Sequence, residues 1–128
     1  MTEQEIFDRV VHHLGKQRVL AFEGGHCKYR DSLGNKCAIG CLIPDDLYRP
    51  EFEGYAFEIL FGFPEIEKLF SGMPIDLLID LQFCHDCKGV EMLGQDYPPL
   101  PQWEKELYRI ARVHGLDSKV VEEYSWDS

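Results

Sequence analysis

Apolar residues at Ile6, Phe7, Val10, Val11 and Leu14 recur at intervals of three and four, with polar residues filling the gaps. That period places one apolar stripe on a helix. Thr2-Glu3-Gln4-Glu5 just ahead of it is a capping box, a hydroxyl followed three residues on by a carboxylate. Gly15 supplies a stop, so the first helix is predicted over 3–14. Pro74 opens a second helix to about Cys87, with Leu77, Leu78, Leu81 and Cys84 inward and Asp76 and Asp80 outward. A third, over 102–114, aligns Trp103, Leu107, Ile110, Ala111 and His114 before Gly115. Shorter helical turns are predicted at 45–49 and 65–70, and a loop at 88–101, where two glycines and three prolines gather.

Between the first two helices the period changes. Cys27-Lys28-Tyr29-Arg30 and Lys36-Cys37-Ala38-Ile39 flank a Gly/Asn turn, the pattern of a small β-hairpin. The apolar run from Ala38 to Ile43, stopped by Pro44, suits a buried strand or one helical turn equally. Together these elements predict a mainly helical α+β fold, with three principal helices packed on a hairpin near 27–39. One domain over 2–124 is expected, with a loose tail at 125–128.

Composition narrows the function classes. The 128 residues are 45% hydrophobic and 12% aromatic, which suits a folded domain. No apolar run reaches the roughly 20 residues needed to cross a bilayer, and the acidic start is unlike a signal peptide. A soluble, cytoplasmic chain without membrane contact is the expectation. The net charge of −10 is concentrated: residues 45–104 carry 13 acids and only Arg49, Lys68 and Lys88 as bases. Such a surface disfavours direct nucleic-acid binding and favours a partner protein with a basic surface.

Three constellations hold candidate chemistry. Cys27, Cys37, Cys41, Cys84 and Cys87 offer thiolate pairs at spacings that zinc uses, the basis for a small structural zinc protein. Cys37 or Cys41 with His85 and Asp86 supplies the residue types of a Cys/His-centred or metal-assisted hydrolase. Adjacent His and Asp on a helix point about 100° apart, so Asp86 is poorly placed to orient His85. Tyr29 and Arg30 with Asp45 and Asp46 form a guanidinium–carboxylate clamp, and Tyr48, Glu51 and Glu53 extend it into a candidate binding face. No glycine-rich nucleotide cradle is present.

As a set, Cys27-x-Tyr29-Arg30, the run Lys36 to Asp45, Tyr48, Glu53-Gly54 and Leu81-Gln82-x-x-His85-Asp86 with its Trp-led helix carry a resemblance. The chain resembles a family of small proteins, of no established activity, from tailed phages and from bacterial genomes, often with prophage. The resemblance spans most of residues 2–116. It implies a phage or prophage setting without a mechanism; taken with the acidic surface, the expectation is a non-enzymatic accessory protein that binds another protein, with inhibition of a host defence or nucleic-acid-handling complex as one use. The hydrolase and the zinc protein stay open beside it.

Overall fold

The computed structural model of the protein describes residues 2–19, 21–23, 26–53, 55, 60, 62–86 and 100–126. The first helix, α1 (Glu3–Gln17), begins as its capping box dictates: Thr2 Oγ1 accepts the Glu5 N–H at 3.1 Å, and Glu5 Oε1 accepts the Thr2 N–H at 2.9 Å. Its apolar stripe is buried from Ile6 to Leu14. Gly15 is not the stop. The helix runs on to Arg18, which closes it in the left-handed region with φ 62°. Gly15 has a packing role instead: a Cβ there would stand 2.5 Å from the ring of Tyr124.

The fold class differs from expectation, and the correction lies at 27–39. No β-hairpin forms there, and the protein is helical rather than α+β. Extended pairing among the described residues is confined to Phe22–Glu23 against His26–Cys27, two residues a side, and to one isolated bridge between Arg30 and Lys36. The second arm of the expected hairpin winds up instead. The Cys41 N–H bonds to the Cys37 carbonyl at 2.9 Å, and Gly40–Leu42 forms a 3-10 turn with Ala38, Ile39 and Leu42 buried. Gly40 permits this, because a Cβ at that position would lie 2.1 Å from the Tyr29 carbonyl oxygen. Close backbone approach, not sheet pairing, is what this glycine serves.

Four further helices complete the described fold: α2 (Pro64–Phe70), α3 (Ile75–Asp86), α4 (Leu100–Val113) and α5 (Lys119–Glu122). α3 packs on α4 and on α1, and α5 bridges α1 and α4. Leu77, Leu78 and Leu81 of α3 meet the inward stripe Trp103, Leu107, Ile110 and Ala111 of α4 in one core. Gly115 ends α4 as expected, with φ 66° and the Leu116 N–H returning to the Ala111 carbonyl at 2.8 Å. Just before it, His114 Nε2 pairs with Asp80 Oδ2 at 2.8 Å and ties α4 to α3. Asp80 is therefore not a free outer residue.

Of the tail at 125–128, Ser125 and Trp126 lie among the described residues. Trp126 is buried, and its Nε1–H donates to the Val121 carbonyl at 2.8 Å. Arg18 Nη1 donates to the Ser125 carbonyl, and His12 bonds the Tyr124 hydroxyl. The segment through Trp126 is thus strapped across α1. Aromatic burial outweighs end fraying here.

Candidate functional site

The candidate binding residues meet where the loop after the small ladder crosses the Pro44–Glu53 segment. The organising group is Glu53. Its Oε1 accepts the Tyr29 N–H at 2.9 Å, and its Oε2 accepts the Arg30 N–H at 3.1 Å and the Tyr48 hydroxyl at 2.6 Å. One carboxylate thereby satisfies two backbone donors that no strand partner supplies, which explains how the chain manages without the hairpin. The Tyr29 ring is buried, and its hydroxyl donates to the Tyr55 carbonyl at 2.6 Å.

Arg30 spans the same knot. Its Nη2 donates to the Ile43 carbonyl at 2.7 Å, its Nη1 pairs with Asp45 Oδ1 at 2.8 Å, and its guanidinium carbon lies 4.6 Å from the centre of the Tyr48 ring. Planar stacking with hydrogen bonding is the arginine geometry that lysine does not reproduce. Lys36 Nζ approaches the same Asp45 oxygen at 3.6 Å. The Arg30 charge, followed by that of Lys36, holds the Asp45 carboxyl below its ordinary range. The Tyr48 phenol moves the other way, pushed up by burial first and then by its bond to Glu53 and the charge there. Tyr48 stays a proton donor.

The seven candidate residues divide by role. Tyr29, Arg30, Tyr48 and Glu53 are turned inward on one another. Asp45 is tied at one oxygen yet its side chain is 84% exposed. Asp46 and Glu51 are exposed. The outcome is a rigid base with carboxylates standing on it. Elsewhere in the acidic middle, Glu67 and Asp76 are exposed, while Glu65 pairs with Arg49 and Asp80 with His114.

α1 and α3 hold this unit against the core. Gln17 clasps Lys36, its Oε1 accepting the Lys36 N–H at 2.8 Å and its Nε2 donating to the Lys36 carbonyl at 2.9 Å. His13 Nε2 donates to that carbonyl as well, at 2.8 Å. Gln82 reaches across from α3, where its Oε1 accepts the Ile39 N–H at 3.1 Å. Gln82 thereby anchors the turn at Ile39. No local signal reveals such long-range side-chain-to-backbone bonds.

Of the cysteine constellations, only Cys37 and Cys41 have described side chains. Cys37 is buried, with its Sγ accepting the Gly40 N–H at 3.1 Å. Cys41 donates its thiol proton to the Ala38 carbonyl at 3.0 Å, and burial pushes that thiol up to about 12. This is the reverse of an activated nucleophile. The side chains of Cys27, Cys84, His85 and Asp86, and all of Cys87, lie outside the described residues. Among the described residues no group of three or more His, Cys, Asp or Glu side chains is placed to hold a metal ion. No helix among them is long and apolar enough to cross a membrane.

A separate groove of about 660 Å³ runs between α1 and the 117–123 segment, lined by Gln4, Asp8, His12, Asp117, Lys119 and Glu123. Gln4 exchanges hydrogen bonds with the Asp117 backbone at 2.8 and 3.0 Å across it. None of the candidate residues lines it. Protein-family models, curated proteins and solved structures were all compared with the chain, and none of them matches it.

Proposed function

We propose that this protein is a non-enzymatic accessory protein of phage or prophage type that binds a basic surface of another protein through the acidic face around Asp45, Asp46 and Glu51. The observation that supports this reading is the division of labour at the Glu53 knot. The Tyr29 and Arg30 N–H groups and the Tyr48 hydroxyl all converge on the one Glu53 carboxylate, and the carboxylates of Asp45, Asp46 and Glu51 beside them face solvent. A surface of exposed acids on a fixed base steers and orients a positively charged partner. A host complex that handles nucleic acid, with its basic groove, is the kind of target this fits. The raised thiol of Cys41 supports the binding reading over the hydrolase, because nucleophilic attack needs the thiolate.

The experiment is capture of host protein on the immobilised chain at low and at high salt, with Asp46→Asn/Glu51→Gln alongside the wild type. A partner held at low salt, released at high salt and weakly held by the variant supports the reading. Equal capture by the variant, or no capture at low salt, refutes it.

A further inference from the structure

Two cations of the chain meet one carboxylate oxygen of the binding face, and they are held unequally. Arg30 reaches Asp45 Oδ1 at 2.8 Å and is otherwise engaged with the Ile43 carbonyl and the Tyr48 ring; its side chain is 17% exposed. Lys36 Nζ stands 3.6 Å from the same oxygen, too long for a full hydrogen bond, and its side chain is 33% exposed. Arg30 therefore belongs to the scaffold, whereas Lys36 contributes charge at Asp45 and little bonding. The Lys36 backbone nevertheless fixes where that charge sits. Gln17 bonds its N–H at 2.8 Å and its carbonyl at 2.9 Å, and His13 bonds the same carbonyl at 2.8 Å. The bridge to Arg30 holds the segment from its other side.

We infer that Lys36 is a built-in counter-ion of Asp45 that competes with the partner's cation for this carboxylate. The inference rests on the protein-binding reading above and names a regulator of that same face. Asp45 is 84% exposed, so a lysine or arginine of the partner can reach it. On arrival that cation meets the Lys36 ammonium as a like charge across one carboxylate, and Lys36 either swings away or weakens the contact. Lys36 can leave, because its ammonium sits on a flexible stem and its contact is long. Arg30, stacked on Tyr48 and bonded at both terminal nitrogens, stays. A repulsive element beside an attractive face is one way an interface narrows the set of partners it accepts.

The test uses the purified full chain and the protein that the wild type captures at low salt. By NMR, Lys36→Gln should raise the midpoint at which the Asp45 carboxyl titrates, since one of the two cations that hold it below its ordinary range is gone. In isothermal titration at low salt, Lys36→Gln should bind the partner about two- to fivefold tighter than the wild type, the scale of one exposed charge contact. At high salt the gain should vanish. Lys36→Arg keeps the cation and should give no gain. In an Asp45→Asn background Lys36→Gln should give none either, the coupling that separates a counter-ion from a change in net charge. An unmoved Asp45 midpoint overturns the counter-ion whether or not a partner is found. Unchanged affinity in Lys36→Gln, or an equal gain in the Asp45→Asn background, overturns the competition and leaves the acidic face standing. Should the wild type capture nothing at low salt, the competition falls with the reading beneath it.

Discussion

Replacing Glu53 tests the knot most sharply. Glu53→Ala deletes the acceptor of the Tyr29 and Arg30 backbone N–H groups and of the Tyr48 hydroxyl, bonds of 2.9, 3.1 and 2.6 Å. All three lie in part-buried surroundings, so water re-solvates them incompletely. A donor left without its partner costs about 1–3 kcal/mol, less where water reaches it. The sum is about 2–4 kcal/mol, a large share of the roughly 5–15 kcal/mol that keeps a domain folded. For a chain of this size the fall in Tm is roughly 10 °C. Urea unfolding followed by far-UV circular dichroism measures it. Tyr48→Phe should cost about 1 kcal/mol in the wild type and close to nothing in the Glu53→Ala background, a coupling that a double-mutant cycle isolates. Glu53→Ala within about 0.5 kcal/mol of the wild type, a surface-substitution value, would refute the hub role.

Three further outcomes follow from the same geometry. Gly15→Ala sets a methyl 2.5 Å from the Tyr124 ring and should destabilise by about 1–3 kcal/mol, with Tyr124→Ala in the same chain relieving the clash, as read by urea midpoints. Truncation after Tyr124 removes the buried Trp126 and should lower stability by about 3–5 kcal/mol, which differential scanning calorimetry records as a fall in Tm. Cys41 should react slowly with Ellman's reagent at neutral pH. Its folded value of about 12 lies above its ordinary 9.0, so its contribution is whole below 9.0 and lost as pH climbs to 12. Cys41→Ala should therefore flatten the alkaline decline of stability relative to wild type.

The helices were legible because their faces repeat locally. Ile6 to Leu14, Leu77 to Leu81 and Trp103 to Ala111 are buried as their spacing predicts. Misreadings cluster where a distant residue decides the local geometry. Gly15 has the look of a terminator, but its reason is the Tyr124 ring at the far end of the chain. The hairpin pattern at 27–39 is overridden by two tertiary facts, the Gly40 backbone pressed on the Tyr29 carbonyl and the Glu53 carboxylate occupying the N–H groups of Tyr29 and Arg30. Strand propensity yields to such context. Within the candidate site, the Arg30–Asp45 pairing was readable from residue types, whereas Glu53 as the hub was not. A carboxylate that serves backbone donors leaves no complementary residue in the sequence to point at it.

The most direct measurement is the salt dependence of partner affinity for the wild type against Asp46→Asn/Glu51→Gln, by isothermal titration. Steep weakening from low to high salt in the wild type, with a shallower slope and lower affinity in the variant, is the predicted result. Identical slopes for the two proteins would contradict an acidic face that meets a basic partner.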